Sequence, residues 1–182
     1  MREARRSIPA AMALVLLTGC SGATAGQASP GVQTTTDVAP ATPWDPCTIP
    51  DGAIERAGLN VATKESGIFG RDQNGFKICG WEDRPPNNKY YVRIFVGLEN
   101  IDYIDDPGYF DRLQPVRVGT RDAVQYQQIG SDASLDCGVA FSAGAELIMA
   151  TLNTDSLVRT PPYDPCTELN SLVAALDSEL PA

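Results

Sequence analysis

What most restricts the shapes open to this chain is a five-residue pattern that occurs twice, as Trp44-Asp45-Pro46-Cys47-Thr48 and as Tyr163-Asp164-Pro165-Cys166-Thr167. Both copies read aromatic, Asp, Pro, Cys, Thr. That is the chemistry of a helix start: Asp accepts the free amide hydrogens, Pro tolerates the first helical position, and Cys falls in the first turn. Cys79 and Cys137 lie between the two copies. If the domain is exported, an even set of four cysteines points to two disulfides, and four cysteines allow three pairings. The preferred pairing is Cys47 with Cys79 and Cys137 with Cys166, because each closes a short loop between a helix start and a nearby strand. A structural zinc site is the competing use, but no Cys-x-x-Cys pair occurs and the sequence contains no histidine.

The second copy leads into Leu169, Leu172, Val173, Leu176 and Leu180, an apolar face at helical spacing. The first leads through Pro50 and Asp51 to Ala53, Ile54 and Ala57, with Gly58 as the predicted C-cap. Between the helices the pattern is that of strands. Tyr90 to Val96 is dominated by β-branched and aromatic residues, with Tyr90, Val92, Ile94 and Val96 on one face and Tyr91, Arg93 and Phe95 on the other. Phe76 to Glu82, Ala123 to Gln128, Leu135 to Phe141 and Glu146 to Leu152 are further predicted strands, with turns at Gly119-Thr120-Arg121-Asp122 and Ser142-Ala143-Gly144. The expected fold is α+β: an antiparallel β-sheet packed with an N-terminal and a C-terminal helix and fastened by two disulfides. A domain of about 140 residues buries a core of its own, so the disulfides reinforce the fold rather than substitute for it.

The N-terminal segment reads as an address. Arg2, Arg5 and Arg6 make a basic start, Ile8 to Leu17 make a short apolar run, and Leu17-Thr18-Gly19-Cys20 follows. The run is about half the roughly 20 residues that a spanning helix needs. Its ending resembles the bacterial lipobox, in which the cysteine sulfur receives a diacylglycerol and the peptide is cut before it. That resemblance implies a signal peptide over residues 1–19, lipidation at Cys20 and a mature protein anchored on the extracytoplasmic face of the cell membrane. From Ser21 to Thr42 the chain is almost wholly Ser, Gly, Ala, Thr, Gln, Pro and Val, with Asp37 its only charge. Such a stretch buries too little apolar surface to offset the entropy of ordering it. Residues 20–42 are therefore expected to be the lipidated cysteine and a tether, and residues 43–182 a single extracytoplasmic domain.

Charge narrows the partners. The chain carries 14 Lys plus Arg against 23 Asp plus Glu, a formal net of −9. Loss of residues 1–19 removes Arg2, Arg5, Arg6 and Glu3 and makes the net more negative, at −11. An acidic surface argues against nucleic acid and against anionic lipid headgroups, since both recruit Lys and Arg. Lipid on Cys20 would have to hold the protein without electrostatic help.

Asp45-Pro46-Cys47, Cys79-Gly80-Trp81, a strand cysteine at 137 and a cysteine opening the last helix at 166, behind a lipobox and a tether, resemble an actinobacterial lipoprotein family. It is the domain of unknown function 3558, and the resemblance runs from Trp44 to about Leu180. It implies a cell-envelope location and a compact disulfide-bonded domain. It brings no activity and no functional residues.

The chemistry is defined largely by what is missing. Without histidine there is no Ser-His-Asp or Cys-His nucleophile pair and no histidine proton shuttle. There is no Gly-rich phosphate loop and no Gly-x-Ser-x-Gly elbow. Carboxylate chemistry is what remains, such as glycan cleavage by a Glu and Asp pair. Glu82 and Asp83 follow Trp81, but adjacent strand residues point to opposite faces. Glu99, Asp102, Asp105 and Asp106 offer oxygens for calcium without the spacing of an EF-hand. No catalytic residue, cofactor or metal is assigned. The expectation is a non-enzymatic binding or accessory module of the cell envelope, with Tyr103, Tyr109 and Phe110 on a loop over the sheet, and Trp81, as candidate binding residues. Its ligand would be an envelope protein, lipid or glycan. The alternatives are a carboxylate-dependent cell-wall glycan hydrolase and a structural subunit of an envelope complex.

Overall fold

The computed structural model describes residues 41–182 apart from 72, 74 and 88. The expected signal peptide, Cys20 and nearly all of the expected tether lie outside the described residues. The described chain is mostly β. Its strands are β1 (Glu65–Ser66), β2 (Phe76–Glu82), β3 (Tyr90–Gly97), β4 (Phe110–Val118), β5 (Arg121–Gln128), β6 (Asp136–Ala143) and β7 (Glu146–Thr154). They form one antiparallel sheet in the order β1-β2-β3-β7-β6-β5-β4. The helices are α1 (Asp51–Arg56) and α2 (Pro165–Ala175), so the antiparallel sheet, two helices and two disulfides expected of the chain are present, with less helix than α+β suggests.

The strand order fixes where the chain must travel. After β3 it leaves for the far edge of the sheet, becomes β4, and returns as a meander through β5 and β6 to β7, which pairs with β3. The connection through the 3₁₀ turn Ile101–Asp105 therefore crosses the sheet, and Ile101 and Ile104 from it pack against Phe110, Tyr126, Ala140, Leu147 and Met149. On the other face lies the larger core. Alternation along β3 places Val92, Ile94 and Val96 there, together with Trp81, Phe141 and Leu152. Helix α2 covers this face with Leu169, Leu172 and Val173, each nearly free of solvent. Burying a side chain of that kind contributes about 1.5–3 kcal/mol.

The two copies of the cysteine pattern behave differently. Asp164 caps α2, its Oδ1 accepting from the Thr167 amide at 2.7 Å, and Pro165 opens the helix. Asp45 makes the equivalent bond to the Cys47 amide at 2.9 Å, but only a single 3₁₀ turn follows, Pro46–Thr48. Pro50 explains the difference. A residue before proline is pushed toward extended backbone, and Ile49 has ψ 128°, so the first turn stops and α1 starts afresh with Pro50 as its N-cap. Helix α1 is six residues long and buries Ala53 and Ile54 in the core that α2 covers.

The disulfides fasten these starts to the sheet. Cys47–Cys79 joins the 3₁₀ turn to β2, and Cys137–Cys166 joins β6 to the first turn of α2, with Cα atoms 5.1 Å apart in each. The C-terminal segment is held by Arg121 of β5. Its guanidinium donates to the Asp177 carboxylate and to the backbone carbonyls of Asp177, Leu180 and Pro181, and lies 5.0 Å from the Phe141 ring centroid.

Strand β4 departs from expectation. Phe110, placed on a loop by its sequence, opens it and is 8% exposed. The strand lies on the sheet edge, contains Pro115, and shifts register between Asp111 and Gln114, where Arg112 has a φ of 52°. A proline, charges and a bulge are how an exposed edge avoids pairing with other chains, and they also erase the alternation that marks a strand.

Candidate binding cleft

The crossing connection does not close completely over the sheet. Between them lies an open cleft of about 780 Å³, on the face opposite α2. Such a volume is in the range of small-molecule sites. Phe76 of β2, Tyr103 of the connection, Phe110 of β4 and Tyr126 of β5 form a continuous aromatic wall. Their neighbouring ring centroids are 5.5 Å (Phe76 to Tyr103), 5.9 Å (Tyr103 to Phe110) and 5.0 Å (Phe110 to Tyr126) apart. These tilted and edge-on spacings are the favourable ones for aromatic pairs. Tyr109 adds a ring 6.3 Å from Phe110 and is two-thirds exposed at the mouth.

Two glycines make room for the rings. At Gly97, opposite Phe76 in the β2–β3 pairing, a Cβ would stand 2.7 Å from the Phe76 ring. At Gly138, opposite Tyr126 in the β5–β6 pairing, it would stand 2.3 Å from the Tyr126 ring. The rings thus lie against bare backbone, which keeps the cleft open above them.

The polar groups are few. Gln73, Gln128 and Thr151 line the cleft together with Tyr103 and Tyr126, and among the described residues no charged residue lines it. The Tyr126 hydroxyl is buried and has no hydrogen-bond partner among the described residues. Leaving such a group unpaired costs about 1–3 kcal/mol. Burial pushes its phenol well above the usual tyrosine range, and the nearby Tyr103 adds to the shift, so Tyr126 stays a protonated donor. Tyr103 is raised as well, first by burial, then by Glu99, Tyr109 and Asp106.

Of the sequence candidates, Tyr103, Tyr109 and Phe110 come together in this cleft. Trp81 does not join them: it is 1% exposed, on the opposite face, in the core beneath the helices. Asp83 is spent on structure. Its Oδ1 accepts from the Lys89 amide at 2.7 Å, and burial raises its carboxyl despite that bond. Among the acidic residues near the connection, Asp106 accepts from the Gly108 amide at 2.8 Å and so shapes the turn before β4. Among the described residues no three His, Cys, Asp or Glu side chains are grouped to hold a metal ion. Sequence reading missed Tyr126, Met149, Thr151 and Gln128, because only the crossing connection between β3 and β4 shows which sheet face remains open.

No curated protein and no solved structure matches the chain. The family model described as "Protein of unknown function (DUF3558)" matches residues 15–178, and the chain belongs to that family.

Proposed function

We propose that this protein is a non-enzymatic binding module of the cell envelope, held on the extracytoplasmic face of the cell membrane by lipid on Cys20, with the aromatic cleft as its ligand site. The cleft carries the reading. It gathers Phe76, Tyr103, Tyr109 and Phe110 into one hollow on the sheet face that the helices leave uncovered. Two disulfides fit an oxidising compartment outside the cytoplasm. The lipobox-like Leu17-Thr18-Gly19-Cys20 supports the anchor. Hydrolysis of a glycan needs two carboxyl groups flanking the scissile bond, and among the described residues the cleft wall offers amides, hydroxyls and rings instead.

Membrane fractionation of the wild-type chain beside Cys20→Ser, followed by native mass spectrometry of the released Cys20→Ser protein mixed with an envelope lipid extract, tests both halves. The wild type is expected with the membranes and Cys20→Ser in solution, carrying a noncovalent small molecule that Tyr103→Ala/Tyr109→Ala fails to retain. A Cys20→Ser chain that stays on the membrane would refute the lipid anchor. Unchanged ligand retention by the double variant would refute the cleft.

A further inference from the structure

The cleft is built for a narrower class of ligand than its size requires. We propose that it takes an uncharged lipid, whose acyl chain lies along the Phe76, Tyr103 and Phe110 wall and whose carbonyl oxygen accepts a hydrogen bond from the Tyr126 hydroxyl. The inference rests on the reading of the cleft as the ligand site and adds the ligand's charge, shape and polar contact.

Charge comes first. A carboxylate or phosphate entering the cleft would lose its hydration and find no Lys or Arg on the lining among the described residues. Beside the cleft it would also meet the carboxylate of Asp106, which is bonded to the amide of the lining residue Gly108 at 2.8 Å. Shape comes next: Ile68, Met149 and Ile129 extend the aromatic wall, and Gln73, Gln128 and Thr151 make the rest of the lining polar at a few points only. A glycan would demand a polar partner for most of its hydroxyls, whereas an acyl chain demands none. The remaining need is the donor. Tyr126 lines the cleft, is fully buried, and its hydroxyl has no partner among the described residues, so one acceptor on the ligand would satisfy it.

The test is calorimetric titration of the Cys20→Ser chain, at pH 8 and below the critical micelle concentrations, with three probes: 1-monooleoylglycerol, oleate and an N-acetylglucosamine trimer. Monooleoylglycerol is expected to bind at one per chain, oleate about tenfold or more weaker, and the trimer not at all. Tyr126→Phe should weaken monooleoylglycerol binding by about five- to tenfold, the size of one lost hydrogen bond, while melting no lower than the parent chain. Oleate binding as tightly as the ester, binding of the trimer alone, or an unaffected Tyr126→Phe would each overturn the proposal. The Tyr103→Ala/Tyr109→Ala variant tells the two levels apart. If it loses whichever probe binds, the cleft stands and only the ligand class is wrong; if it binds like the parent, the cleft reading falls as well.

Discussion

Replacing Gly138 by alanine adds one methyl group, and the structure makes it an expensive one. Gly138 has no left-handed backbone to protect, and alanine in a strand interior ordinarily gains about 0.5–1 kcal/mol over glycine. Here the new Cβ would stand 2.3, 2.4 and 2.8 Å from three atoms of the Tyr126 ring. An ordinary carbon contact is about 3.5–4.0 Å, so the ring must retreat by more than 1 Å. It cannot do so freely. Tyr126 is opposite Gly138 in the strand pairing, and Phe110 stands edge-on with its centroid 5.0 Å away. Overpacking of a rigid neighbour costs about 1–3 kcal/mol, so Gly138→Ala is expected to destabilise by about 1–2 kcal/mol net. Urea unfolding followed by circular dichroism measures it, and in a Tyr126→Leu background the same Gly138→Ala change should cost little, because the ring is the obstacle. A Gly138→Ala protein as stable as the parent, or a double variant whose losses simply add, would refute the packing of Tyr126 over bare backbone.

Asp177 supplies a pH test. Thr120 and Arg121 hold its carboxyl down to about 2, so its contribution is complete above the unfolded value near 4 and disappears as pH falls through 2. Asp177→Asn should cost about 1–2 kcal/mol at pH 7, allowing for partial exposure of the pair, and only a few tenths of a kcal/mol at pH 2, where the carboxyl is about half protonated; urea titrations at both pH values would contradict this if the full difference persisted in acid. Phe69, 82% exposed with a φ of 52°, stands on the turn closed by Ile68 and Arg71. Asparagine tolerates that backbone far better, so Phe69→Asn should raise the melting midpoint, and a lower midpoint would mean that the ring makes contacts worth more than its strain. Removing Cys137–Cys166 by Cys137→Ala/Cys166→Ala opens a loop of 29 residues, and chain entropy then puts the cost at about 3–4 kcal/mol. A loss below about 1 kcal/mol by urea unfolding would contradict that value.

Sequence pattern revealed β3 because its alternation holds from Tyr90 to Val96, and β2 because its centre, Ile78 to Trp81, is a short buried run. It revealed α2 because Asp164 and Pro165 stand directly before a helical stripe. The same logic overreached at Asp45, where Pro50 five residues later cuts the helix short, a conflict between two local rules that only the backbone resolves. Strand β4 was hidden by the features that protect an edge: Pro115, Asp111, Arg117 and a bulge. The aromatic cluster was partly legible, since Tyr103, Tyr109 and Phe110 are close in sequence. Its other wall was not. Tyr126, Met149 and Thr151 come from β5 and β7, and they join the cluster because the chain crosses the sheet between β3 and β4, a long-range choice with no local mark. Trp81 looked like a binding residue beside two carboxylates, yet the parity of β2 sends it to the helix side with Cys79.

The most direct measurement of whether the cleft binds is a chemical-shift titration of the isotopically labelled Cys20→Ser chain with monooleoylglycerol. Backbone amides of Tyr103, Tyr109, Gln128, Ile129 and Thr151 are expected to shift together and saturate at one ligand per chain, while those of α2 stay in place. Shifts gathered on α2 and the helix-side core, or none at saturating ligand, would contradict the assignment of the cleft.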